Sequence, residues 1–382
     1  MYKTILRNPG PTPVPKQVLQ AMNYDMISHR GGEFKELFAD TTNRIKPFFG
    51  TEQDVFIVTG SGTSALETAV VNTISPGDEV VVVTVGDFGN RFAAICEAYG
   101  AVVHRLEIEW GKACTEEELS EFLKQFNHIK AVVATYNETS TGVLNPVAQL
   151  ANVVHTHSDA LFIVDGVSCI GGVKAKMDEW GIDILVTGSQ KALMLPPGLA
   201  FVSVSDRAWK VIEDNKAPAY YLDLLTYRKS YEKHMTPNTP AVSLIYGLQA
   251  VCGMIEEEGF DETVKRHEIM KKMTREAISA LDLPLLTNDE DASPTVTAIS
   301  EPADLEIEKL RGHLKKKYHI DFAGGQGKLK GKIMRFGHMG YCFPGDVLEA
   351  VSIIERGLKD FNHHFEYGAG VKAAQEVYLD YV

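Results

Sequence analysis

Val55-Phe56-Ile57-Val58-Thr59-Gly60-Ser61-Gly62-Thr63-Ser64 begins as an unbroken apolar run, turns on glycine and serine, and continues into an apolar helical stretch. A short run without polar alternation reads as a strand covered on both faces. Runs of the same kind recur at Glu79 to Val85, Ala131 to Thr135, Leu161 to Asp165, Ile182 to Thr187 and Leu199 to Val204. Helical stretches separate several of them, at Arg91 to Tyr99, Glu116 to Phe126 and Val147 to His157. Strand alternating with helix predicts an α/β fold whose large domain, about residues 15–250, is built on a mostly parallel sheet.

Beyond residue 250 the pattern changes. A charged amphipathic helix over 262–281 is followed by a strand at Thr295 to Ile299, a helix at Asp304 to Tyr318, a strand at Lys332 to Phe336 and a helix at Val347 to Phe361. This predicts a smaller α+β C-terminal domain, 251–382, with residues 1–14 against it. A chain of 382 residues is long for one hydrophobic core, which agrees with two domains. Lys315, Lys316 and Lys317 read as a solvated helix face.

Composition narrows the partners. Lys plus Arg is 38 against 51 Asp plus Glu, a net charge of −13 that repels nucleic acid and acidic membrane surfaces. The five cysteines are scattered, with no C-x-x-C pair to hold zinc or form a redox dithiol, so no metal is expected. Pro9, Pro11, Pro13 and Pro15 interrupt the first residues, which carry no apolar signal region, and no run is long enough for a membrane helix. The expected compartment is the cytoplasm.

The chemistry gathers where strands end. Thr187-Gly188-Ser189-Gln190-Lys191 closes one apolar strand. A lysine there is ordinarily a solvated loop residue, but apolar runs on both sides desolvate the amine and favour its neutral, nucleophilic form. Ile163-Val164-Asp165-Gly166 places a carboxylate at the end of another strand. In a parallel sheet the carboxyl ends of strands line the ligand crevice, and Asp and Lys there can grip opposite sides of a planar cofactor. Gly60-Ser61-Gly62-Thr63 opens a helix and offers backbone amides and the helix dipole to a phosphate.

Taken in order, the motifs resemble the class V pyridoxal-phosphate-dependent aminotransferases, and among them the alanine-glyoxylate and serine-pyruvate aminotransferase branch. The motifs are Asn8-Pro9-Gly10-Pro11-Thr12, Gly60-Ser61-Gly62-Thr63, Gly86-Asp87-Phe88-Gly89-Asn90-Arg91, Asn137-Glu138-Thr139-Ser140-Thr141-Gly142, Val164-Asp165, Gly188-Ser189-Gln190-Lys191, Thr236-Pro237-Asn238-Thr239-Pro240 and Met334-Arg335-Phe336-Gly337. The resemblance implies the fold type I of pyridoxal-phosphate enzymes, pyridoxal 5'-phosphate as cofactor, and a homodimer with active sites at its interface.

It further implies that Lys191 forms the Schiff base and Asp165 holds the pyridine nitrogen protonated. Phe88 would stack on the ring, where relatives often carry Trp. Thr139 would lie by the phenolic oxygen, and Ser61, Gly62, Thr63 and Gln190 around the phosphate. Thr239 would reach the phosphate from the second subunit, with Thr236 standing where some relatives carry Tyr. Arg335 would hold the substrate carboxylate, with Arg30 the next candidate. The implied reaction moves an amino group from alanine or serine to glyoxylate or pyruvate. Ureidoglycine or 2-aminoethylphosphonate transamination, cysteine desulfuration through Cys342, and a non-catalytic role are the alternatives. His29, Arg30, Tyr220 and Tyr221 are candidates for selecting the substrate side chain.

Overall fold

The computed structural model describes residues 4–215 and 217–381. Seven strands form the main sheet: β1 (Val55–Gly60), β2 (Glu79–Thr84), β3 (Val102–Glu107), β4 (Ala131–Thr135), β5 (Leu161–Asp165), β6 (Ile184–Gly188) and β7 (Gly198–Val204), in the order β1-β7-β6-β5-β4-β2-β3. Only β7 runs antiparallel to its neighbours. Both faces are buried, as the apolar runs require. Val81, Val83, Val132, Ala134, Phe162 and Val164 enter one core, while Val80, Val82, Ala131, Val133, Leu161 and Ile163 enter the other.

The helices α1 (Gly32–Phe49), α4 (Val147–His157) and α5 (Val242–Glu258) pack on the first face, and α2 (Gly62–Thr73) and α3 (Asp87–Ala98) on the second. A third hydrophobic cluster lies among α6 (Phe260–Ala280), α7 (Ile307–Tyr318), α8 (Pro344–Asp360) and a small antiparallel sheet. That sheet contains β8 (Val296–Ser300), β9 (Ala323–Gly324) and β10 (Ile333–Gly337), in the order β8-β10-β9. The N-terminal segment joins this layer. Ile5 and Leu6 pair in parallel with Ile320 and Asp321, and Gly337 N donates to Arg7 O at 2.7 Å.

Several sequence expectations move. The first helix after β2 starts at Asp87 rather than Arg91, which puts Phe88 on its first turn. The helix expected from Asp304 starts at Ile307, where the Glu301 carboxylate accepts from the Ile307 amide. Strand β3 was not anticipated, because His104 and Arg105 break its apolar pattern. It is the sheet edge, partly exposed, and those two side chains pair with Glu79 and Glu97. Helices α1 and α5, and a C-terminal helix α9 (Ala369–Leu379), also went unread. Among the described residues no helix is long and apolar enough to cross a membrane.

Candidate active site

Every parallel strand that bears a site residue delivers it from its carboxyl end. β1 leads to Ser61, the residue before α2, so Gly62 and Thr63 present the free amides of that helix's first turn. β2 leads to Phe88, β4 to Asn137 and Thr139, β5 to Asp165, and β6 to Gln190 and Lys191. A cavity of about 230 Å³ brings together Ser61, Gly62, Thr63, Gln190, Asp165 and Lys191, with Phe88 and Thr139 also on its wall.

A second cavity of about 300 Å³ shares Phe88, Thr139 and Lys191 with the first and extends to Arg335. Both spaces therefore meet at Lys191. Its amine donates to the Pro9 carbonyl at 2.5 Å. Gly10 permits this approach: at φ +97°, a Cβ on it would lie 2.3 Å from Lys191 Cδ.

Burial sets the protonation of the site. It lowers the Lys191 amine to about 8, with Arg335 adding repulsion and Asp165 opposing both. The Asp165 carboxyl is raised to about 6, chiefly by burial, against the Val167 amide that donates to its Oδ1 at 2.8 Å. Arg335 is 5 % exposed and brought down to about 10 by burial, with Glu138 and Asp87 opposing the shift.

Met334 and Phe336 turn into the third core, as the alternation along β10 requires, and Arg335 turns to the cavity. Its Nε donates to Gly324 O and its Nη1 to Thr139 O, both at 2.9 Å, which leaves N–H groups of the fork for a ligand.

Thr236 and Thr239 do not line either cavity of their own chain. Thr236 is buried and donates to Asn238 O, while Thr239 is exposed. Arg30 is spent on the same loop, with Nη1 on Thr236 O and Nη2 on Pro237 O, both at 2.8 Å.

Four residues at the site went unread. Glu138, fully buried, accepts from the amides of Phe88 and Gly89 on Oε2 and from Ser140 on Oε1. Arg91 lies over the Phe88 ring, 4.6 Å from its centre, and lines the first cavity. Asn8 Oδ1 and Gln326 Oε1 are enclosed without a hydrogen-bond partner beside the second. Glu138 and Arg91 sit inside motifs that sequence reading had singled out for their neighbours. Gln326, between Gly325 and Gly327, had only its glycine setting as a signal.

The parts fit pyridoxal phosphate. The amides of Gly62 and Thr63 on the first turn of α2, with the hydroxyls of Ser61 and Thr63, line the small cavity as donors suited to a phosphate, and the side-chain amide of Gln190 lies beside them. A desolvated lysine and a buried carboxylate face the same small cavity. Fold and site together define a pyridoxal-phosphate enzyme. The chain belongs to the aminotransferase class-V family, whose profile matches residues 4–327.

It is 45% identical to an uncharacterized aminotransferase of Methanocaldococcus jannaschii, over 99% of this chain and 98% of that one. It is 43% identical to a Synechococcus protein called the small subunit of a soluble hydrogenase, over 98% of each. To the L-aspartate–glyoxylate aminotransferase of Paracoccus denitrificans it is 36% identical, over 97% and 95%. The crystal structure of the Bacillus subtilis ureidoglycine-glyoxylate aminotransferase superposes with a TM-score of 0.92 at 31% identity, over 99% of both chains. The protein is thus an aminotransferase, and pyridoxal 5'-phosphate is its cofactor.

Proposed function

We propose that the enzyme moves the amino group of a small 2-amino acid, in the class of alanine and serine, to a 2-oxo acid such as glyoxylate or pyruvate. The observation that carries this reading is the meeting of Lys191 and Arg335 in one cavity, an amine and a guanidinium placed to handle the two ends of an amino acid. Glyoxylate as acceptor draws support from the relatives that act on it.

When bound, the cofactor supplies an aldehyde for the amino group and a ring that accepts an electron pair. The chain's own residues do the rest. Arg335 binds the substrate carboxylate and so sets which face of Cα meets Lys191. Lys191 Nζ, which burial brings down to about 8, gives up its own proton more readily than an ordinary lysine and in its neutral form takes the proton from Cα. Asp165 would hold the ring nitrogen, because a cation beside the carboxyl favours its ionised form. Phe88 would cover the ring, and Ser61, Gly62, Thr63 and Gln190 would hold the phosphate, with Thr139 near the phenolic oxygen.

The reading includes a two-fold dimer in the cytoplasm, with Thr239 and the loop of Thr236 completing the neighbour's phosphate site. Cysteine desulfuration is disfavoured by Cys342, which is 1 % exposed in the third core with its thiol pushed up to about 11 by burial.

The test is a single-turnover screen: amino acids are added one at a time to the loaded enzyme, and conversion of the cofactor to pyridoxamine phosphate is followed by absorbance. Release of the matching 2-oxo acid supports the reading. A parent enzyme that converts with no 2-amino acid sinks it.

A further inference from the structure

We propose that His267 and Arg266 are positioning residues that set the span between Lys191 and Arg335 by clamping Gly340 against the backbone of Lys191. This rests on the amino-transfer reading, in which those two groups handle the two ends of one amino acid.

Lys191 follows β6 of the main sheet, and Arg335 lies on β10 of the small one. The turn that leaves β10 runs against Lys191. At φ +68°, Gly340 comes so close that a Cβ on it would lie 2.9 Å from Lys191 O and 3.3 Å from Thr12 Oγ1. Thr12 Oγ1 donates to the same Lys191 carbonyl at 3.0 Å. The strand that carries Arg335 therefore continues into a turn that abuts the peptide of the lysine.

Two neighbours on α6 hold that turn. The Gly340 amide donates to His267 Nε2 at 3.0 Å, and the Gly340 carbonyl accepts from Arg266 Nη1 at 3.0 Å. Arg266 Nη1 also donates to Cys342 O, while its Nε and Nη2 are fixed by Glu258. His267 Nδ1 donates to Thr263 O at 2.7 Å, so the ring carries its proton on Nδ1 and its acceptor on Nε2. Full burial, with the Arg266 charge beside it, brings the imidazole down to about 3, which preserves that acceptor at physiological pH.

The ring also touches the other side of the site. A Cβ on Gly172, in the loop after β5, would lie 2.9 Å from His267 Cδ2 and Nε2 and 3.3 Å from Cβ of Ala192, the residue after Lys191. α6 meanwhile packs in the third core with β10. His267 is thus wedged between the loop that carries Lys191 and the layer that carries Arg335. An amino acid gripped at both ends depends on that span, and a misplacement of about 1 Å can cost about a hundredfold in rate. An amine without a carboxylate is gripped at the Lys191 end alone and is indifferent to it.

The experiment follows the cofactor absorbance of the loaded enzyme after one addition, with L-alanine against ethylamine and L-serine against ethanolamine. The ratio of acid to amine does not depend on how much enzyme is folded or loaded, so a loss of stability alone leaves it unmoved. His267→Leu should slow the acid by about tenfold or more and the amine by less than about threefold. His267→Gln, whose Oε1 can accept from the Gly340 amide, should return the acid to within about threefold of the parent. Binding should show the same contrast without turnover: 2-methylalanine, which has no Cα proton, should bind His267→Leu more weakly than the parent, and isopropylamine should not. Gly340→Ala leaves both side chains in place and pushes on Lys191 O directly. It should match His267→Leu, and it decides the matter should that variant not fold.

Equal losses on acid and amine, an acid rate that His267→Leu leaves unchanged, or a Gln variant as slow as the Leu variant overturns the proposal. A parent that converts neither alanine nor serine instead sinks the underlying reading, before any variant is made, so the two failures are distinct.

Discussion

Glu138 holds Phe88 by its backbone. The carboxylate Oε2 accepts from the Phe88 amide at 3.1 Å and from Gly89 at 3.0 Å, while Ser140 Oγ, itself donating to Glu138 Oε1, accepts from Asp87. The first three amides of α3 are thus satisfied from a strand end some fifty residues away. Gly86 is needed beneath them, because a Cβ there would sit 2.5 Å from Glu138 Cγ and Cδ.

Glu138→Gln should therefore loosen the turn that carries Phe88, the side chain proposed to cover the cofactor ring. An amide has one acceptor oxygen where the carboxylate has two, so either the Phe88 and Gly89 amides on Oε2 or the Ser140 amide on Oε1 are left facing an NH2 group, at a cost of about 1.5–3 kcal/mol. Urea unfolding of the apo-protein should show that loss, and cofactor affinity should fall with it. Unchanged stability together with unchanged affinity would mean that the turn holds itself.

The titration of Lys191 gives a pH signature. Its amine has an ordinary value near 10.5 in the unfolded chain and about 8 in the folded apo-protein. Between these values the unfolded state binds more protons, so apo-protein stability gained from this group rises from pH 8 to pH 10.5. Below pH 8 the folded state carries the full cost of a buried cation, about 3 kcal/mol at about 1.4 kcal/mol per pH unit. Lys191→Met should accordingly be more stable than the parent near neutrality, with the advantage shrinking above pH 8. A stability difference that is flat with pH would show an amine of ordinary basicity.

Legibility followed locality. Lys191, Asp165 and the turn at Ser61 could be read because each ends an apolar run, and a parallel sheet sends all such ends to one edge. Arg335 could be read because alternation along β10 sends Met334 and Phe336 to the core. Glu138 could not, since the amides that explain it lie on another strand's turn, a relationship no spacing encodes. Strand β3 was lost because an edge strand tolerates His104 and Arg105, which an interior strand would not. Lys315, Lys316 and Lys317 could be read as a solvated face because charge on consecutive helix positions needs only water, and all three are exposed.

A dimer that shares its sites should show complementation. Thr239 is exposed and lies outside its own chain's cavity, the position expected of a residue that serves a neighbour. Thr239→Asp should repel the neighbour's phosphate, and Lys191→Ala should abolish chemistry in its own chain. Mixed subunits should then form heterodimers in which one site holds both defects and the other neither, and activity should return. Confirmed subunit exchange without recovery, or a fully active monomer, counts against the shared site.

Arg335 allows binding to be separated from chemistry. Its guanidinium keeps its plane through donation to Gly324 O and Thr139 O, so the free N–H groups face the cavity in a fixed direction. Arg335→Lys retains the charge without the fork, and Arg335→Ala loses both. Loss of a charge-assisted pair worth about 1.5–3 kcal/mol should lower kcat/KM by about ten- to a hundredfold, with Lys intermediate. Cofactor content should hold, because the phosphate would be gripped at the first turn of α2, on the far side of Lys191. The decisive comparison sets an amino acid against the matching amine that lacks the carboxylate, each titrated against the cofactor absorbance. The parent should strongly prefer the acid, and Arg335→Ala should lose most of that preference. If the variant kept it, the carboxylate would bind elsewhere in the cavity, and the three cations left there, Lys191, Arg311 and Lys315, would have to supply the site.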